Sequence, residues 1–248
     1  MTDIDEAIDW RGEEVDCAAC PHLGVAECIL KRACVQDRYA RRIDRFFDWN
    51  TGLANSYLAH PHFEVRAIAA KHADIFRLPP LLDDEDETVR WNAARRLPDS
   101  YALKLRQDPH REVRIRVATR LEMSDLAPML ADCDYYVRLV VARRVPPALL
   151  LRLVQDPEAE VRRVVASRLA PEQLLLMAKD VDEMVRREVA QRLPADLLSF
   201  LHEDESWLVR LEVAQRGPYQ VALGLVEDQD PMVAEAARAR AAKMRAVS

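Results

Sequence analysis

The sequence predicts an all-α fold, a solenoid of eight 24-residue repeats that follows a small cysteine-containing cap. Three observations lead to this prediction. A valine, followed in seven of the eight copies by arginine, recurs every 24 residues from Val65 onward. The 248 residues include only five glycines and are rich in helix-forming residues, which disfavours a sheet with many tight turns. Four of the five cysteines lie within eighteen residues near the start of the chain.

The repeats keep one register without an insertion or deletion. Their position 0 is occupied by Val65, Val89, Val113, Val137, Val161, Val185, Val209 and Val233. Position +4 is Ala or Val, position +5 is Ala in seven copies, and position +8 is usually Leu. Apolar residues at 0, +4, +5 and +8 form one face of an α-helix, which a frequent proline at +9 would end.

A second apolar cluster follows at positions +13, +16 and +17, as in Leu150, Leu153 and Val154, and only the last copy lacks this second element. This segment is about seven residues long, and its pattern fits either a short α-helix or a 3-10 helix. No part of the repeat alternates with a period of two, so no strand is expected. Neither element can bury its apolar face alone, and stacking of the copies is therefore required.

An arginine at position +1 interrupts the apolar face of each helix except the last. It lies about 100° around the helix from position 0 and needs a partner when it is buried. Aspartate recurs at position −5, except in the first repeat. Pairing each arginine with the aspartate of the following repeat leaves no member unmatched. The predicted pairs are Arg66–Asp84, Arg90–Asp108, Arg114–Asp132, Arg138–Asp156, Arg162–Asp180, Arg186–Asp204 and Arg210–Asp228.

A second arginine recurs at position +7, near the end of the predicted helix. Its members are Arg96, Arg120, Arg144, Arg168, Arg192, Arg216 and Arg240. One interpretation is a solvated cap of the helix C-terminus. The other is a basic stripe that binds an acidic partner or a nucleic-acid backbone. The net charge of −6, and the lack of aromatic residues at any repeated position, disfavour nucleic acid.

The cysteines have the spacing C-x2-C-x7-C-x5-C, at Cys17, Cys20, Cys28 and Cys34. Four thiolates can hold a [4Fe–4S] cluster or a tetrahedral zinc ion. Cys28 and Cys34 are separated by about 240° on an ideal helix, so the chain must turn between them. A chain that wraps its ligand in this way favours an iron–sulfur cluster. Zinc, with His22, His60 and His62 as further candidate ligands, and unligated thiols remain alternatives.

The expected organisation is a cap domain over residues 1–52 and a repeat solenoid over residues 53–248. Between them, Ile43, Phe46, Phe47 and Trp49 predict a helix that packs the cap against the first repeat. The cap would then cover the open end of the stack, as terminal units of repeat proteins do.

The cysteine segment and 24-residue copies such as "DPEAEVRRVVASRLAPEQLLLMAK" resemble the leucine-rich repeat variant family. The resemblance implies alternating α- and 3-10 helices stacked in a right-handed superhelix. It also implies a [4Fe–4S] cluster held by Cys17, Cys20, Cys28 and Cys34. It does not imply a defined cellular role.

The sequence contains no recognisable catalytic constellation or nucleotide-binding loop, so an enzyme is not expected. The acidic start lacks an apolar stretch and no apolar run reaches a membrane span, which predicts a cytoplasmic protein with reduced thiols. We therefore expect an iron–sulfur protein whose solenoid binds a protein partner and whose cluster senses redox state or transfers electrons. A purely structural cluster and a nucleic-acid-binding solenoid are the two alternatives.

Overall fold

The computed structural model describes residues 6–245, which form two compact units, one ending at Leu121 and one beginning at Glu122. Between residues 6 and 245 there is no strand. The only extended pairing consists of isolated bridges between Ile8 and Glu14, Asp9 and Asp37, and Ile29 and Ala33. The all-α prediction is confirmed. None of the helices within this range has the length and apolar character needed to span a membrane.

The first seven repeats each contain one ten-residue α-helix followed by shorter elements, and the last contains a fifteen-residue helix. The α-helices are α1 (Ala40–Trp49), α2 (Phe63–His72), α3 (Glu87–Arg96), α4 (Asp99–Ala102), α5 (Arg111–Arg120), α6 (Tyr135–Arg144), α7 (Pro147–Leu150), α8 (Ala159–Arg168), α9 (Glu183–Arg192), α10 (Trp207–Arg216), α11 (Tyr219–Gly224) and α12 (Pro231–Arg245). The 3-10 helices are Thr51–Tyr57, Ile75–Arg77, Pro79–Asp83, Leu103–Gln107, Met123–Asp125, Ala127–Ala131, Leu151–Leu153, Pro171–Met177 and Ala195–Leu201. The second element is thus a 3-10 helix in several repeats, and it contains a short α-turn in others.

The long helices begin and end where the repeat pattern places their boundaries. Asp182 caps α9, because its Oδ1 accepts the backbone N–H groups of Met184 at 2.9 Å and Val185 at 3.1 Å. The helix ends at position +8, where Leu193 adopts extended angles (φ −61°, ψ 139°). Val185 and Val189 are fully buried, and position +5 contributes the small Ala190, which lets neighbouring elements approach closely.

The predicted arginine–aspartate ladder is present. Two of the seven pairs lie within the first compact unit and four within the second, and all six are formed. In the Arg138–Asp156 pair, Nε donates to Oδ2 at 2.6 Å and Nη2 donates to Oδ1 at 2.9 Å. The other five are Arg66–Asp84, Arg90–Asp108, Arg162–Asp180, Arg186–Asp204 and Arg210–Asp228. The Arg114–Asp132 pair would join the two units and stays a prediction.

Each ladder arginine also binds its own repeat. Nη1 of Arg138 donates to the carbonyl oxygens of Asp132 at 2.9 Å and Cys133 at 3.3 Å, in the loop before its own helix. On the other side, Oδ1 of Asp156 accepts the N–H of Glu158 at 3.0 Å. Both charged groups are buried and fully hydrogen-bonded, which is the condition under which a buried ion pair is tolerated and fixes register.

The predicted boundary between residues 52 and 53 falls inside the continuous 3-10 helix Thr51–Tyr57. The division between the two compact units lies instead within the repeat array, after Leu121. The proposed division into a 1–52 cap and a 53–248 solenoid stays a prediction.

Candidate metal centre

The four clustered cysteines lie before α1 and none is in a disulfide. Cys17, Cys20 and Cys28 are partly exposed, whereas Cys34 is buried. They occupy a segment without regular helix, in which the backbone forms turns instead of repeated helical hydrogen bonds.

The first two cysteines are held by a local turn. Oδ1 of Asp16 accepts the N–H groups of Ala18 at 2.9 Å and Ala19 at 3.2 Å, as aspartate does at the start of many turns. The N–H of Cys20 then donates to the carbonyl oxygen of Cys17 at 3.4 Å. The C-x2-C spacing is therefore folded into a single turn that carries both thiols.

The predicted turn between Cys28 and Cys34 is confirmed. Ile29 and Ala33 exchange two backbone hydrogen bonds of 2.9 and 2.8 Å, so the chain reverses between the two cysteines. Lys31, at the tip, has a left-handed φ of 64°. Ala26 has a φ of 58°, and among residues 6–245 these two are the only residues other than glycine with positive φ.

The thiols influence one another electrostatically. Burial raises the pKa of Cys28, and the neighbouring Cys20 and Cys17 raise it further. Burial also raises the pKa of Cys34 to about 11, against a smaller lowering by the backbone N–H groups of Gln36 and Asp37, and the charges of Asp37 and Cys28 add small increases. Bound iron or zinc would favour the deprotonated forms of these thiols.

This donor set fits an iron–sulfur cluster, which is held by cysteine thiolates, and zinc also binds thiolate sulfur. Between residues 6 and 245, no group of three or more His, Cys, Asp or Glu side chains lies close enough together to hold a single metal ion. The assignment of Cys17, Cys20, Cys28 and Cys34 as ligands stays a prediction.

His22 joins the cysteine segment to the first repeat. Its Nδ1–H donates to Oε2 of Glu27 at 2.6 Å, which leaves Nε2 to accept a hydrogen bond from the Tyr57 hydroxyl. We call Glu27, His22 and Tyr57 the His22 network. Burial raises the pKa of Tyr57 to about 12, with added effects of Cys20, Glu27 and Cys34. Sequence spacing gave no signal for a contact between residues 35 positions apart.

Aromatic rings fill the space behind this network. The ring of Phe47 lies 5.6 Å from that of Tyr57 and 6.2 Å from that of His72, and Phe46 packs edge-on against His22 at 5.0 Å. Ile43, Phe46 and Phe47 are fully buried on α1, which confirms the predicted packing face. The inclusion of Trp49 in that face was wrong, because its position at the end of α1 leaves it 47% exposed.

The other candidate zinc ligands, His60 and His62, take part in a second contact. The ring of Trp10 stacks on that of His62 at 5.6 Å, and Nδ1 of His60 accepts the N–H of His62 at 3.1 Å. Burial lowers the pKa of both histidines, and the positive charge of Arg66 lowers them further. These histidines anchor the chain around Trp10 to the loop that precedes α2.

Six of the seven +7 arginines cap helices, and each of the six caps the helix of the preceding repeat rather than its own. Nη2 of Arg216 donates to the carbonyl oxygen of Leu193 at 3.0 Å, and its Nη1 donates to that of Ala190. Equivalent contacts are made by Arg96, Arg120, Arg168, Arg192 and Arg240. These side chains are only partly exposed and serve as a second set of links between repeats.

Comparisons with known proteins agree with the geometry of both regions. Residues 7–56 match the family model described as "LRV protein FeS4 cluster". Over 105 residues the chain is 47% identical to an uncharacterized 27.7 kDa protein in the nifB 3′ region of Rhodobacter capsulatus, an alignment that spans 41% of this chain and 43% of that relative.

A solved structure, described as a leucine-rich repeat variant with a novel repetitive protein structural motif, is 41% identical. The alignment covers 91% of this chain and 98% of that one, with a TM-score of 0.83. The chain therefore belongs to the leucine-rich repeat variant family, and it carries that family's iron–sulfur cluster segment within residues 7–56.

Proposed function

We propose that this protein is a non-enzymatic, cytoplasmic interaction scaffold whose cap holds a [4Fe–4S] cluster on Cys17, Cys20, Cys28 and Cys34. In this proposal the cluster senses redox state or transfers electrons, and the repeats bind a protein partner. The observation that carries the proposal is the match of residues 7–56 to the iron–sulfur cluster family model, over a segment that holds four cysteines free of disulfides.

A bound cluster would supply one-electron chemistry, and all-cysteine ligation suits a low reduction potential. The protein's own residues would control access and fix the surroundings. Burial of Cys34 shields one side of the site, while the partly exposed Cys17, Cys20 and Cys28 leave the other side near the surface. The His22 network holds the chain between Cys20 and Cys28 in place. A site that is rigid on one side and accessible on the other suits electron exchange with a docked protein.

A purely structural cluster is the second candidate. It is favoured by the irregular backbone of the cysteine segment, which has few internal hydrogen bonds and would depend on a bound group for its order. Nucleic-acid binding through the +7 arginines is a weaker candidate, because most of these guanidinium groups donate to backbone carbonyls of the preceding repeat.

A redox titration of the anaerobically purified full chain, followed by electron paramagnetic resonance, tests the proposal. We expect a reversible one-electron transition while the far-ultraviolet circular dichroism stays constant. A cluster that cannot be cycled without loss of iron would contradict the redox role and support the structural one. Binding to duplex or single-stranded DNA that weakens steeply with salt would support the nucleic-acid role instead.

A further inference from the structure

The second compact unit exposes a row of large apolar side chains on its second elements. They occupy positions +14 and +15 of four consecutive repeats, and we call them the apolar stripe. Its members, with their exposed fractions, are Leu151 (37%), Leu175 (36%), Leu176 (67%), Phe200 (68%) and Leu223 (39%). In the first unit the same positions hold Pro79, Pro80, Leu103 and Lys104, so the fold does not require large apolar residues there.

The stripe is separate from the core. In the helix Pro171–Met177, Leu174 and Met177 point inward and are buried. Because a 3-10 helix turns once in three residues, the side chains between them, Leu175 and Leu176, must point outward. Two adjacent exposed leucines, followed one repeat later by Phe200, form an apolar surface for which folding gives no reason. Surfaces of this kind mark interaction sites in proteins.

Two grooves lie beside the stripe. The first, of about 510 Å³, is lined by Val181 and Phe200 together with the loop His202–Glu205. The second, of about 570 Å³, lies on the far side of that loop and reaches Leu225. Val181 is 91% exposed, which extends the apolar surface into the first groove.

The rim of the stripe is acidic. Exposed acidic residues beside it are Glu172, Asp196, Glu203, Glu205 and Glu227, whereas the exposed basic residues are Arg152, Lys179 and Arg238, the last paired with Glu227 at 3.6 Å. The carboxylate of Glu203 is 87% exposed and that of Glu227 is 86% exposed. Asp182 and Asp230, by contrast, accept backbone N–H groups at the starts of their helices.

We propose that the apolar stripe and its acidic rim bind an amphipathic segment of a partner protein, in which leucine-like residues are flanked by lysine or arginine. The apolar residues would cover Leu175, Leu176 and Phe200. The basic residues would reach the carboxylates of Glu203 and Glu205 in the grooves. Charge complementarity defines the partner, since a second acidic surface of the same kind would be repelled. The inference rests on the scaffold role proposed above and names its partner class.

The test uses the full chain and a fluorescein-labelled peptide of about 15 residues, with leucines on one helical face and lysines on the other. Two control peptides replace the leucines by serine or the lysines by glutamate. The protein variants are wild type, Leu176→Ser with Phe200→Ser, and Glu203→Gln with Glu205→Gln. Phe76→Ser is the matched control, because Phe76 is an aromatic residue of the first unit that is even more exposed (88%) than Phe200.

We expect the leucine–lysine peptide to bind wild type and the Phe76→Ser variant equally. The double serine variant should bind about tenfold more weakly, as expected when central apolar contacts are removed. The double glutamine variant should bind more weakly and with less dependence on salt. All substituted side chains are exposed, so the thermal unfolding of the variants should match that of wild type.

Three results would overturn the proposal. These are equal binding of the serine control peptide, an equal loss for Phe76→Ser, and no loss for the double serine variant. A homodimer in sedimentation equilibrium that dissociates only in the double serine variant would also overturn it, because the stripe would then bind a second copy of the chain. Iron content and reduction potential, measured on the same samples, report separately on the proposed cluster.

Discussion

Neighbouring repeats are joined through charged side chains, whereas the cysteine segment is joined to the first repeat through aromatic rings and histidines. Within the described residues, the repeat interfaces reuse one pattern, in which a buried arginine such as Arg138 binds the aspartate of the next repeat. The cap junction uses a single arrangement around His22 and Tyr57. Four of the six histidines of the chain, His22, His60, His62 and His72, lie at this junction.

The difference shows what each contact must achieve. A repeat interface must be copied many times, and a fully satisfied ion pair gives every copy the same register. The cap junction is formed once and must bind an irregular segment, for which packing of large rings is suitable because it needs no regular backbone. The cap junction and the repeat interfaces should therefore lose stability under different changes, and the following predictions distinguish the two.

The largest effect is expected from loss of the cluster. Cys34→Ala should remove most of the iron and destroy the order of residues 7–56, because this segment has no regular helix before α1. Hydrogen exchange of the repeats from α3 onward should change little. Cys133→Ala is the matched control, since Cys133 is an exposed cysteine outside the cap, and it should retain the wild-type iron content. Wild-type protection of the cap in Cys34→Ala would contradict this prediction.

Removal of one ladder arginine should have the next largest effect. Arg138→Met leaves the buried carboxylate of Asp156 without its partner, and this should lower the free energy of unfolding by about 3–5 kcal/mol. Arg143→Met, at an exposed arginine of the same helix, should stay within about 0.5 kcal/mol of wild type. Urea unfolding followed by circular dichroism measures both values.

A charge swap sharpens the same prediction. Arg138→Asp with Asp156→Arg should not restore stability, because the arginine also donates to the carbonyl oxygens of Asp132 and Cys133 and the aspartate accepts the N–H of Glu158. Full recovery in the swapped protein would mean that only the charge pair matters.

Acid should weaken the junction before it weakens the repeats. Burial lowers the pKa of His62, so the unfolded chain gains its proton first and stability is lost as the pH falls below about 6.5. The guanidinium of Arg210 holds the pKa of Asp228 below its usual range. The stability that this ion pair adds to the repeats therefore remains until the pH falls below about 4.

Single-tryptophan proteins can measure this order of events. Replacement of Trp49, Trp91 and Trp207 by phenylalanine leaves Trp10, which stacks on His62, as the reporter of the junction. A second protein retains only Trp207, in α10, as the reporter of a repeat. When the pH is lowered from 7 to 5, the midpoint of urea unfolding followed by Trp10 fluorescence should decrease. The midpoint followed by Trp207 fluorescence should stay constant. An equal decrease of both midpoints would contradict the prediction that acid weakens the junction before the repeats.

The smallest effect is expected from Tyr57→Phe. This change removes the hydrogen bond to His22 but keeps the ring packed against Phe46 and Phe47. It should therefore lower the free energy of unfolding of the cap by about 1 kcal/mol. Tyr136→Phe, at an exposed tyrosine of a repeat, should have no measurable effect. A loss of stability for Tyr136→Phe as large as that for Tyr57→Phe would contradict the assigned role of the His22 network.

Most of the repeat architecture could be predicted because its period is exact in the sequence. The phase of Arg138 within the apolar face indicated burial, and the missing aspartate of the first repeat indicated which neighbour it would bind. The same reasoning placed Arg216 near a helix end but could not identify the helix, because periodicity does not say which copy a long side chain reaches.

The cap was less predictable. The turn between Cys28 and Cys34 followed from their spacing, but the pairing of His22 with Tyr57 joins distant positions that occur once. A contact formed by a single pair of residues leaves no pattern in one sequence. The prediction that Trp49 is buried was wrong for a related reason. Apolar residues indicate which face of a helix is buried, but they do not indicate how far along the helix that burial extends.

The measurement that tests the central claim most directly is an iron, zinc and acid-labile sulfide count on the anaerobically purified full chain, together with its visible spectrum. We predict close to four irons and four sulfides per chain and a broad absorbance that bleaches on reduction. One zinc per chain in a colourless protein would contradict the claim, and it would reduce the cap to a structural zinc site.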